Sequence, residues 1–179
     1  QAAENDFMGV PTGPMDQRAS LWCTTDHALL LDCRTLTPEQ VPFALPDDLV
    51  LALVDTRSPH VLADGHYAQR RRACASAAEA LGVRALRDVT PADLPAALAR
   101  LTDDEQVRRV RHVVTENARV LDAVAALEAG DWASFGRILT ASHASMRDDY
   151  EITVPTVDLA VETALACGAL GARMTGGGF

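Results

Sequence analysis

Thr102-Asp103-Asp104-Glu105-Gln106-Val107-Arg108-Arg109-Val110-Arg111-His112-Val113-Val114 opens the stretch on which the fold turns. A Thr followed three residues later by Glu is the pattern of a capping box, which satisfies the orphan N–H groups at a helix start. From there Val107, Val110, Val114, Leu121 and Val124 recur at three-, four- and seven-residue steps, while Arg108, Arg111, Glu116, Arg119 and Asp122 take the other side. One apolar stripe opposite a charged face predicts a long amphipathic helix packed along one side. Gly130 supplies its stop.

Reading outward, Thr90-Pro91-Ala92-Asp93 is a second helix start, and further helices are expected from about Trp132 to Met146 and from Pro155 to Cys167. The chain reads as helical from Tyr67 onward. Before it, Ala28–Cys33 and Leu49–Asp55 are short aliphatic runs bounded by polar and Pro-containing segments, and both read as strands. Thr37-Pro38-Glu39-Gln40 carries a cap, a Pro at the first helical position and a Gln at the third, which predicts one helical turn. Ala169–Met174 reads as an edge or hairpin strand. The expected class is α+β: helix-rich, with mixed or antiparallel sheet segments packed against helices.

The 179 residues are 48% hydrophobic and 23% charged, enough apolar material for a sizeable core. High charge and low hydrophobicity do not coincide, so the chain is not of the disordered class. Its longest apolar run, Leu49–Val54, falls far short of the ~18–20 residues of a membrane span. A net charge of −9 argues against non-specific nucleic-acid binding, which needs a basic footprint. All 16 cations are Arg. Without Lys the chain carries neither a P-loop lysine nor a Schiff-base amine. Cys23, Cys33, Cys74 and Cys167 show no metal-ligand spacing with the histidines, and free thiols in a reducing cytoplasm are expected. His60 and His66 read as ordinary polar residues for the same reason.

Gly9-Val10-Pro11-Thr12-Gly13-Pro14-Met15-Asp16-Gln17 concentrates Gly and Pro ahead of an acid. Such a loop fixes its backbone path and holds the emerging carboxylate in one orientation. That suits a general base, and it equally suits an Asp that caps the next turn. Thr175-Gly176-Gly177-Gly178 can bring backbone N–H groups to an anion, or can be a flexible terminus. Arg70-Arg71-Arg72 spreads around a helix and reads as a solvated or salt-bridged face. Ser142 and His143 are adjacent on a predicted helix and point apart, which excludes a hydrolase triad.

Taken together and in order, these segments resemble the galactokinase family of the GHMP sugar- and metabolite-kinase superfamily. The matching stretches are Ala3–Gln17, His27–Arg34, Ala63–Tyr67 running into Arg70–Cys74, Arg111–Asn117, Ser142–Tyr150 and Gly168–Phe179, with departures around residues 84–105. The resemblance implies transfer of a phosphoryl group from ATP to the anomeric hydroxyl of galactose. By position, Asp16 matches the family's catalytic base, Glu4 a magnesium ligand and Tyr67 a sugar-contacting tyrosine. Gly176, Gly177 and Gly178 match a Gly-rich motif beside the phosphate loop. Residues 1–45 then correspond to the carboxyl part of an amino-terminal kinase domain, and 46–179 to a carboxyl-terminal domain cut within that motif.

The phosphate loop, the sugar-signature segment and an assisting arginine of the family have no counterpart here. Residues 1–179 alone are therefore expected to be inactive, and the cut edge at Ala169–Met174 to favour self-association, whereas the intact enzyme is expected to be monomeric and cytoplasmic. The implied partners are galactose, ATP and Mg²⁺, with no nucleic acid and no membrane. The alternatives are a kinase for another sugar, such as arabinose or N-acetylgalactosamine, and a non-catalytic galactose-sensing regulator. Phosphoryl transfer is mainly positioning and charge neutralisation, so backbone amides and a metal can stand in for lysine.

Overall fold

The computed structural model describes residues 13–58 and 65–178, in two compact units. One comprises residues up to Leu53 together with Val124–Asp131; the other comprises Val54–Ala123 and the chain from Trp132 onward.

The first unit is built from α1 (Met15–Trp22) and an antiparallel hairpin of β1 (His27–Leu31) and β2 (Pro38–Pro42). His27 pairs with Pro42 and Leu31 with Pro38. The connection is an Asx turn: Asp32 Oδ1 accepts the N–H groups of Arg34 (2.7 Å) and Thr35 (3.2 Å), and the Leu36 N–H reaches the Asp32 carbonyl at 2.7 Å. This turn overrides the expected helical turn at Thr37–Gln40, which is strand instead. The hairpin buries Val41 at 2% exposure, and the two prolines sit at the strand's ends, where a missing N–H is tolerated. Leu49–Asp55, expected as a strand, pairs with no strand among the described residues; Val50, Leu51, Leu53 and Val54 are exposed.

The second unit is helical: α2 (His66–Leu81), α3 (Leu94–Ala99), α4 (Asp104–Glu128, whose last turns belong to the first unit), α5 (Trp132–Ser145) and α6 (Pro155–Ala166). Asp103, rather than Thr102, caps α4, its Oδ1 accepting the Glu105 N–H at 2.7 Å. Gly130 ends that helix as expected, with φ +65°, the Gly130 N–H on the Leu127 carbonyl and the Asp131 N–H on the Ala126 carbonyl. Val110 and Val114 carry the predicted stripe into a core with Ala77, Ala78, Leu81, Leu86, Val89, Ala97 and Leu101. Leu121, farther along the stripe, is exposed.

The last turn of α5 widens into a π-helical turn, Met146–Tyr150, ending at Glu151 with φ +55°. The expected strand at Ala169–Met174 forms no ladder among the described residues. Side chains of α5 hold it instead. The Ala172 N–H donates to Thr140 Oγ1 (3.4 Å) and the Met174 N–H to His143 Nδ1 (3.2 Å), so the backbone donors are met without a sheet. No helix of the described residues is long and apolar enough to cross a membrane. The four cysteines are free.

Candidate active site

Asp16 stands in the first turn of α1, exposed, where the partial positive charge of a helix N-terminus favours a carboxylate. No hydrogen bond or ion pair holds its carboxylate among the described residues. The helix that carries it is fastened at both flanks. Arg18 donates to the Leu36 carbonyl at 2.9 Å and lies over the Trp22 ring at 4.5 Å. At the far end Gln40 Nε2 donates to the Trp22 carbonyl (2.7 Å), while its Oε1 accepts the Thr24 N–H and hydroxyl (3.2 and 3.1 Å). Gln40 and Arg18 thus tie α1 to the hairpin. Neither is identified from sequence as an anchor of α1, because the backbone carbonyls that Arg18 and Gln40 Nε2 reach lie 18 residues away. Glu4 lies outside the described residues, as do His60 and residues 9–12 of the Gly/Pro loop.

In the second unit, Tyr67 is the second residue of α2, half-exposed, its hydroxyl unpartnered among the described residues. One turn on, Arg70 Nε donates to the Tyr150 carbonyl (2.7 Å) and Nη2 to the Glu151 carbonyl (3.1 Å). Ile152, the next residue but one after Tyr150, packs directly on Gly178: a Cβ there would fall onto the Ile152 carbonyl and 2.8 Å from its Cβ. The segment 150–152 therefore bridges the start of α2, where Tyr67 and Arg70 share a face, to the glycine turn. The expectation of a salt-bridged Arg70 holds, with a partner in Glu105 at 3.4 Å, and it serves this bridge.

The π turn is locked by buried charge. Arg109, 1% exposed, donates to the Asp149 carbonyl (2.5 Å), to Glu105 (2.9 Å) and to Glu151 (2.6 Å). Its guanidinium holds the Glu151 carboxyl below the usual range. His112 stacks on the Tyr150 ring with centroids 4.3 Å apart, and its Nδ1 lies 3.0 Å from Ser145 Oγ, whose hydroxyl in turn reaches Asp149 at 3.3 Å. Burial pushes the Tyr150 phenol up and the His112 imidazole down. Arg109 and His112 lie inside the long helix yet were not singled out, since the valine stripe alone marked the buried face. Ser142 is buried with its hydroxyl unpartnered among the described residues, so it does not pair with the neighbouring His143.

At the turn itself Gly176 and Gly178 have φ of +88° and +76°, while Gly177 has no positive φ. None of these three N–H groups donates a hydrogen bond among the described residues. Gly177 has no atom within 4 Å of a Cβ built on it and no positive φ, so neither crowding nor backbone strain demands glycine there. No three His, Cys, Asp or Glu side chains gather to hold a metal among the described residues.

Comparison with known proteins supplies the frame for this geometry. Residues 123–179 match the family described as GHMP kinases C terminal. Over 181 aligned residues covering the whole chain, it is 56% identical to the galactokinase of Streptomyces coelicolor and 51% identical to that of Mycobacterium tuberculosis. It covers 47% and 49% of those proteins, so the chain spans about half the length of the curated relatives it matches. The crystal structure of Lactococcus lactis galactokinase complexed with galactose superposes on the whole chain with a TM-score of 0.91 at 36% identity, the chain covering 47% of it. In sequence and in backbone, the whole chain is thus similar to about half of a galactokinase, and its carboxyl-terminal third to the GHMP kinases C terminal family.

Proposed function

We propose that this chain contributes to an ATP-dependent sugar kinase that phosphorylates the anomeric hydroxyl of galactose. The observation that carries the reading is similarity to galactokinases over the entire chain, one of them solved with galactose. The unengaged Asp16 and the three undonated glycine amides add to it.

In this reading Asp16 orients the anomeric hydroxyl and accepts its proton. The sugar oxygen bonds to the γ-phosphorus as the bond from phosphorus to the β–γ bridging oxygen breaks, and ADP leaves with that electron pair. A sugar hydroxyl is a weak nucleophile, so a fixed carboxylate contributes chiefly by alignment and late proton acceptance. Tyr67 donates its phenol to a sugar oxygen and reads the acceptor. The amides of Gly176–Gly178 face phosphate oxygens, and the absence of a side chain at Gly177 leaves room for their close approach. Mg²⁺ would neutralise phosphate charge when bound; Glu4 is its proposed protein ligand. A single protein carboxylate suits a metal that takes most of its oxygens from phosphate and water.

The test is a chimera in which residues 1–179 replace the matching stretch of the Streptomyces coelicolor enzyme, assayed with galactose, arabinose and N-acetylgalactosamine. Galactose-dependent ADP release is expected. Preference for either other sugar redirects the specificity, and sugar and nucleotide binding without turnover makes the chain a sensor.

A further inference from the structure

Three residues of α5 meet the segment that leads into the glycine turn, one through its backbone and two through side chains. Gly136 abuts Leu170 and Gly171, so closely that a Cβ on either glycine would strike the backbone of the facing segment. Thr140 Oγ1 accepts the Ala172 N–H, and His143 Nδ1 accepts the Met174 N–H. Residues 136, 140 and 143 form one helical stripe, and they meet residues 170–171, 172 and 174 in turn.

His143 closes this series next to the glycines. It is 3% exposed. Because Nδ1 accepts an N–H, the ring proton sits on Nε2, which lies 3.2 Å from Asp158 Oδ1 of α6. That pair is in ion-pair contact without the alignment of a direct hydrogen bond, and both atoms are shut off from solvent. We propose that His143 is a positioning residue: it sets the Gly176–Gly178 turn by accepting the Met174 N–H at Nδ1 while Asp158 holds the opposite edge of its ring. The proposal deepens the reading of that turn as the phosphate side of the site and rests on it.

Only the neutral Nε2–H tautomer can do this, since a proton on Nδ1 would meet the Met174 N–H donor to donor. Asp158 from α6 favours the charged ring. Burial opposes it most, joined by Arg147 of the π turn and Arg173 of the 169–174 segment, while Asp148 beside Arg147 partly offsets that arginine. The balance keeps the imidazole below its ordinary value.

Two substitutions separate the parts of the claim. His143→Phe keeps a planar ring and removes both nitrogens; His143→Asn places an amide oxygen where Nδ1 accepts. Amide exchange by NMR on the chain, with Val110 and Val114 as internal reference, should show Met174 and Gly176–Gly178 losing protection by about tenfold in Phe and recovering it in Asn. In the chimera the Phe variant should raise the KM for ATP by about tenfold and leave kcat within several-fold, with Asn restoring it. Unchanged Met174 protection, or equal acceleration at Val110 and Val114, overturns the role of His143. Loss of protection confined to residues 172–178 with an unchanged KM for ATP upholds His143 and overturns the phosphate reading of the turn.

Discussion

Arg109 gives the sharpest test of how the second unit is held together. Replacing it with Met keeps an unbranched stem in the core and removes the guanidinium. Glu105 and Glu151 are 36% and 44% exposed, so both carboxylates recover water, and little of the loss comes from stranded charge. The Asp149 carbonyl loses a charged donor, about 1.5–3 kcal/mol. The Tyr150 ring loses a cation 6.0 Å from its centroid, a further contribution of about 0.5 kcal/mol. Arg109→Met should therefore cost about 2–3.5 kcal/mol, and Arg109→Ala, which also leaves a void, about 3–5 kcal/mol. Urea unfolding followed by far-UV circular dichroism reads the difference, with an unchanged slope showing that the unfolded state is unaltered. An Arg109→Met protein as stable as the parent would refute the argument, showing that water replaces the guanidinium at the π turn without cost.

Gly136→Ala should destabilise by about 3 kcal/mol or more, because its Cβ would strike backbone of residues 170–171 rather than a side chain that can turn aside; the melting temperature checks this, and Gly177→Ala, in open space, should leave it within about a degree. His112 and His143 are both held below 6.5 by burial. The unfolded chain therefore takes up protons first, and stability should fall as pH drops from 7 through 6.5 and below, by up to about 1.4 kcal/mol per pH unit for each group within its window. Thermal melts that stay flat from pH 7 to about 5 would contradict that sign. In the chimera, Tyr67→Phe should raise the KM for galactose by a loss of about 0.5–1.5 kcal/mol with a milder change in kcat, as steady-state kinetics would show.

The helices were legible because their signals are local. The valine spacing of α4, the Gly130 stop and the Pro155 start each act within a few residues of sequence. The sheet was legible only in part. β1 announces itself through Ala28–Leu31, but β2 carries a Pro-Glu-Gln run whose local preference is helical, and the Asp32 turn decides the pairing. The Ala169–Met174 segment failed as a strand because its acceptors are Thr140 and His143 side chains, which no alternation pattern can reveal. Of the candidate site, the residue types and order were legible through resemblance alone. What ties them to the fold was not: Gln40 on the α1 terminus, Arg70 on the 150–152 segment and Ile152 against Gly178 are long-range contacts to backbone.

The central claim is that this chain carries the carboxylate that aligns and deprotonates the sugar hydroxyl, and Asp16→Asn in the chimera tests it most directly. The amide keeps the side chain's size and its hydrogen bond to the sugar while losing the proton acceptor. Galactose 1-phosphate formation should fall by about 10²–10⁴ in kcat, with the KM for galactose within several-fold of the parent. An Asn variant that turns over galactose at near-parental kcat would remove Asp16 from the chemistry.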